Sequence, residues 1–251
     1  MQVLHSCTDR ITRNSHIAGD DCRGKTRSKL SPMFGGQPFY LGHLGKTPVF
    51  VSPDSILNLL LVWMWCDKTV PGFMVMLMAL VTVILVHESG HALMARINGM
   101  FGITIVLAAF GGFCSYGGSR SPKTELPIAL AGPAANLLTA AALWLTFRYV
   151  PHLDTLNQLI VSYLIYVMYL SLVLGLFNLL PIYPLDGGQA TLAVSRMISR
   201  SETNARRFTL SLTVTAVPAT LVAMHFMHFG IGVWTLAIFA LLLFSAFRDL
   251  R

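Results

Sequence analysis

The chain has 251 residues, of which 54% are hydrophobic and only 12% charged, a balance that belongs to polytopic membrane proteins rather than soluble globular ones. The net charge of +7 does not point to nucleic acid, because the basic residues sort by position between apolar segments and form no single patch. Four scattered cysteines, none in C-x-x-C spacing, give no sign of a disulfide framework or a cysteine zinc site.

Residues 1–36 are polar, basic and rich in Ser, Gly and Arg, with no apolar signal-peptide core; they read as a disordered cytosolic tail. Residues 37–55 read as short strands around Gly turns, ending in a helix start at Ser52-Pro53-Asp54-Ser55. A first, short span is expected at about 56–65, tilted or drawing on its flanks. A second, at about 72–97, carries fifteen uncharged residues, Gly72 to Val86, directly before His87-Glu88-Ser89-Gly90-His91. Residues 100–118 switch to a β-rich, Gly-punctuated pattern that reads as a hairpin or re-entrant element. A third span at about 125–147 contains Gly132-Pro133-Ala134-Ala135-Asn136, and a fourth at about 158–180 is broken by Pro181 and Pro184. A short amphipathic helix near 188–199 and two further spans, about 208–226 and 230–247, complete the chain. The expected fold is therefore an all-α polytopic membrane protein of about six transmembrane helices with a short β-hairpin or re-entrant element after the second. Its expected parts are the tail (1–36), the leading strands (37–55), a catalytic membrane core (56–200) and two additional C-terminal spans (201–251).

Six spans with an internal N-terminus put 16 Lys and Arg on the cytosolic side and two, Lys68 and Arg148, outside. Without the tail the division is still 10 to 2, so both termini are expected in the cytosol. The second span then runs outside to inside, and its histidines lie roughly 9 to 15 Å below the cytosolic face at 1.5 Å per residue.

The H-E-x-x-H pentapeptide sets two imidazoles four residues apart, about 40° around a helix, so that both can hold one zinc ion with Glu88 beside them as a general base. Ionisable groups at membrane depth are costly and call for a compensating function. A catalytic zinc takes three protein ligands and keeps one open position. The candidate third ligand is Asp186, in Asn178-Leu179-Leu180-Pro181-Ile182-Tyr183-Pro184-Leu185-Asp186-Gly187-Gly188, where prolines and glycines interrupt the fourth span. Irregular backbone at that depth is tolerated only when buried in protein or lining a cavity.

Together, H-E-x-x-H at 87–91, G-P-x-x-N at 132–136 and N-x-x-P-x-x-x-L-D-G at 178–187 resemble the site-2 protease family of intramembrane zinc metalloproteases. The resemblance covers about residues 38–200. It implies proteolysis of a single-span membrane protein substrate within the lipid bilayer of a cell, as in prokaryotic members, with one Zn2+ as cofactor and no nucleic acid partner. It matches His87, His91 and Asp186 to the zinc ligands and Glu88 to the catalytic glutamate. Asn136 and Asn178 match motif asparagines that help hold substrate or its polarised carbonyl. The chain resembles a minimal member without PDZ or CBS domain.

Blander readings compete for single features. Asp186 alone suits a helix cap beside Gly187, and the two asparagines alone suit interhelical hydrogen bonds. The 111–118 hairpin reads equally as a lid or as an edge strand for an unwound substrate. A non-catalytic zinc-binding scaffold has no need of Glu88. A prenyl-protein protease carries a Glu third ligand in place of the L-D-G-G segment, and a zinc transporter requires ligands at several depths.

Overall fold

The structure is a computed structural model that describes residues 37–66, 68–109, 111–119, 121–151, 157–199, 201–226 and 232–251. The expected tail, residues 1–36, lies outside the described residues. Among the described residues four strands, β1 (Phe39–Leu44), β2 (Thr47–Val51), β3 (Phe101–Ala108) and β4 (Gly111–Gly117), accompany seven α-helices. These are α1 (Ile56–Trp65), α2 (Val70–Ile97), α3 (Pro122–Tyr149), α4 (Gln158–Asn178), α5 (Asp186–Ser199), α6 (Glu202–Phe226) and α7 (Val233–Leu250).

Local chemistry explains where the long helices start. Thr69 caps α2 by accepting from the Gly72 N–H at 3.1 Å, with Pro71 in the first turn where it costs no hydrogen bond. A Ser121–Thr124 capping box opens α3, again with a proline, Pro122, at its start. Asn157 accepts from Leu159 N–H to start α4. At the far end of α2, Asn98 donates its amide to Met94 O at 2.8 Å, and Gly99 takes the left-handed conformation (φ +75°) that turns the chain into β3.

Among the described residues, four helices are long and apolar enough to cross a membrane: α2, α3, α4 and α6. The expected first span is a helix of only 10 residues, about 15 Å long and about half of a hydrocarbon core. Many large apolar side chains point outward from the bundle, including Met74, Met78, Leu138 and Val173, while Met76 between the two methionines is buried. An outward apolar surface suits lipid, which has no polar partners to offer.

The β segments, expected as leading strands and a separate hairpin, form one sheet of order β1-β2-β3-β4. The two hairpins are antiparallel, and β2 joins β3 in parallel register, Val49 opposite Ile105 and Val51 opposite Leu107. The intervening α1 and α2 make this crossover possible, since parallel strands need a long connection. Side chains lock the sheet to the bundle: Asn58 of α1 donates to Ala108 O at 2.8 Å, and Arg96 of α2 donates to Thr47 Oγ1 at 2.9 Å.

The centre of the bundle is α2, α3 and α4. Ala79 and Val83 of α2 meet Val167 of α4, and Thr82 Oγ1 lies 2.9 Å from Tyr163 Oη. Gly90 of α2 rests directly on the Ala131 backbone of α3, an approach that any Cβ would forbid. At the far end of α5, Arg196 donates to Glu125 of α3 at 2.9 Å and pairs with both carboxylate oxygens of Glu202 of α6. This bidentate pairing ties three helix ends together.

Candidate metal centre

His87 and His91 lie one turn apart on the buried face of α2, and Asp186 begins α5. His87 and Asp186 are 99 positions apart in sequence, yet His87 Nε2 is 2.9 Å from Asp186 Oδ2. His91 Nε2 is 3.3 Å from the same oxygen and 3.1 Å from His87 Nε2. The three residues are nine-tenths buried or more, at 5%, 8% and 9% exposure. Among the described residues they form the one group whose donor atoms converge closely enough to hold a metal ion.

The donor set fits zinc. Tetrahedral ligands at 2.0–2.1 Å stand roughly 3.3 Å from one another, close to the three separations here. His91 is also oriented for the task. Its Nδ1 donates to Ile128 O of α3 at 2.7 Å, which leaves the Nε2 lone pair aimed at the cluster. Glu88, between the histidines in sequence, is 4% exposed, and its Oε2 is buried without a partner. A buried, unmatched carboxylate oxygen is expensive in a fold without a use for it.

Asp186 reaches the histidines because the chain breaks after α4 and coils tightly before α5. Ile182 N donates to Leu180 O, and Leu185 N donates to Ile182 O at 2.8 Å. Gly187 and Gly188 sit against the carbonyls of Leu179 and Leu180 and the backbone of Tyr183, with no room for a Cβ. Ile182 is fully buried against Val217 of α6 and Phe239 of α7. The helices that follow the motif-bearing core thus form the wall behind the third candidate ligand.

Two contributors are absent from the expected site. The first is Thr213 of α6, fully buried, whose Oγ1 accepts from Tyr183 N–H at 3.1 Å while donating to Thr209 O. Thr213→Val leaves that backbone donor unmatched, a cost of about 1–3 kcal/mol. A lower melting temperature and weaker zinc binding are expected, both restored in Thr213→Ser; chelator competition and thermal melts check this. A threonine in an apolar helix carries no sequence signal for this role.

The second is Gly132 of α3, the first residue of the G-P-x-x-N motif. A Cβ there would lie 2.6 Å from His91 Cε1 and 2.8 Å from His87 Nε2, so the glycine keeps α3 clear of the converging nitrogens. Gly132→Ala is expected to push both imidazoles out of place. Overpacking of this kind costs about 1–3 kcal/mol, or roughly 5-fold to 150-fold in zinc affinity if the ligands bear it. Wild-type affinity in Gly132→Ala would refute the contact.

The expected asparagines fall in different settings. Asn136 of α3 is fully buried, with its Nδ2 3.2 Å from His87 Nδ1. Asn178, on the last turn of α4, is half-buried and donates to Leu174 O at 3.1 Å. The 111–117 strand is the sheet edge nearest Glu88: a Cβ at Gly112 would be 3.2 Å from Glu88 Cγ.

Comparison with known proteins agrees with this geometry. The sequence model of peptidase family M50 matches residues 75–156 and 149–222. "Putative zinc metalloprotease Rip3" of Mycobacterium tuberculosis is 39% identical over 110 residues, covering 42% of this chain and 27% of its own. "Putative zinc metalloprotease sll0528" of Synechocystis is 30% identical over 190 residues, 69% of this chain and 49% of its own. The chain therefore spans about a quarter to a half of the curated relatives it matches. The solved structure of a site-2 protease from Methanocaldococcus jannaschii shares the fold, with a TM-score of 0.58 over 86% of this chain and 96% of that one, at 20% identity.

Proposed function

The chain belongs to peptidase family M50, and from that premise we propose that it is an intramembrane zinc endopeptidase. In this reading it cleaves a membrane-spanning segment of a protein substrate near the cytosolic side. The observation that carries the proposal is the convergence of His87, His91 and Asp186 beside Glu88, whose Oε2 is buried without a partner, deep in an apolar bundle. His87 Nε2, His91 Nε2 and an Asp186 carboxylate oxygen would hold one Zn2+. When bound, the ion supplies a Lewis acid that polarises a carbonyl and makes water a better nucleophile at neutral pH.

The protein's own residues do the rest. Glu88 takes a proton from the attacking water and returns it to the leaving amine. Burial among apolar side chains limits competing water. Asn178, on the last turn of α4, would donate to the substrate carbonyl through the amide hydrogen not used at Leu174 O. A helical substrate has its carbonyls occupied, so it must unwind first; Gly or Pro near the cut site lowers that cost. The β4 edge beside Glu88 offers backbone partners to the extended strand that results. The 16 to 2 basic asymmetry favours six spans, cytosolic termini and a site nearer the cytosol.

A zinc-binding scaffold without catalysis is the alternative, and the buried Glu88 carboxylate, which ligation does not require, weighs against it. Co-expression with a panel of tagged single-span proteins tests the proposal. Cleavage of at least one of them by wild type, and by no Glu88→Gln sample, is the expected result. Equal processing by both would sink it.

A further inference from the structure

Asn136 is fully buried, its Nδ2 faces His87 Nδ1 at 3.2 Å, and its Oδ1 has no partner. In that orientation the amide donates to a bare Nδ1, so the His87 proton sits on Nε2 and points at Asp186 Oδ2, 2.9 Å away. That tautomer cannot ligate a metal through Nε2, because the nitrogen that faces Asp186 and His91 has no free lone pair. The other ring shows the competent arrangement: His91 gives its Nδ1 proton to Ile128 O and keeps Nε2 bare.

Rotating the Asn136 amide by 180° resolves the conflict. Oδ1 then takes the place of Nδ2 and accepts from His87 Nδ1–H, which frees Nε2 for the cluster. The same rotation moves the unpartnered position from Oδ1 to Nδ2, so the demand of ligation at His87 decides the orientation. Oxygen and nitrogen of an amide are assigned by their partners, and here the partner required by ligation is an acceptor. We propose, on the zinc reading given above, that Asn136 is a positioning residue: its side-chain carbonyl fixes the metal-competent tautomer of His87, as the Ile128 carbonyl does for His91. The expected role for this asparagine, donation to the substrate carbonyl, uses the opposite end of the amide.

The two roles separate by substitution. Asn136→Asp keeps an acceptor and removes the donor, whereas Asn136→Leu removes both at similar volume. Zinc affinity is measured by competition with a chromophoric chelator on the full chain in detergent. Loss of such a partner to a ligating histidine costs about 10–100-fold in metal affinity. Asn136→Leu is expected to weaken zinc by that factor, and Asn136→Asp to stay within about threefold of wild type. Cleavage by Asn136→Leu, low at limiting zinc, should recover in excess zinc. An Asn136→Leu protein that binds zinc like wild type yet fails to cleave would overturn the proposal, leaving a donor to substrate. So would an Asn136→Asp protein whose zinc affinity falls tenfold or more, and this variant decides alone if Asn136→Leu does not fold. A wild-type chain that holds no zinc would sink the metal reading itself, an outcome distinct from either of these.

Discussion

Purified Glu88→Gln is expected to cleave a membrane-spanning substrate about 10³-fold more slowly than wild type, within the 10²–10⁴-fold range of a lost general base, while holding the same zinc. Gln is nearly the size of Glu, so the packing of Glu88 against Gly112 and the neighbouring turns of α2 is kept. Only the ability to accept and return a proton is removed. The fold should not suffer. Glu88 Oε2 is buried with no partner, and a neutral amide is cheaper to bury than a carboxylate. The melting temperature of the variant should therefore equal or exceed that of wild type, and metal analysis should give unchanged zinc. Turnover within about tenfold of wild type would remove Glu88 from the proton-transfer role.

His87→Ala, His91→Ala and Asp186→Ala should each abolish stoichiometric zinc and all cleavage. Each leaves two donors where a catalytic zinc uses three. The Asp186 substitution is the most telling. Asp186 Oδ2 is the atom that meets both imidazoles, at 2.9 and 3.3 Å, and without it only the two rings, 3.1 Å apart, remain of the converging donors. Asp186→Asn keeps the size and the hydrogen-bonding reach but removes the charge, and should lose most of the zinc as well. Elemental analysis of protein dialysed against a weak chelator reads this directly. Full zinc occupancy in Asp186→Ala would show that the break before α5 does not supply the third ligand.

Features carried by local pattern were legible in the sequence. The H-E-x-x-H spacing puts His87 and His91 on one helical face wherever that helix lies. Long apolar runs mark α2, α3, α4 and α6. Gly99 and the Pro181 to Gly188 stretch mark where helices must end, because backbone conformation is a property of the residue itself. The third candidate ligand, Asp186, was within reach because a carboxylate at a broken span has few other uses at that depth.

What depends on partners distant in the chain was decided by tertiary structure alone. The leading strands and the hairpin look like separate elements, and only the docking of α1 and α2 brings Val49 opposite Ile105 to make one sheet. Hydrogen bonding between strands is non-local and leaves no periodicity across the stretch from Val51 to Phe101 that separates them. Thr213 reads as an ordinary polar residue in an apolar helix until Tyr183 N–H is found against it. Gly132 and Asn136 carry no local sign that the fold sets them against the nitrogens of His87 and His91. The sequence by itself determined which side chains could bind a metal and move a proton. The packing of α3 and α6 around them decided which atoms of those side chains face the site, because orientation is set by hydrogen-bond partners that the chain supplies from elsewhere.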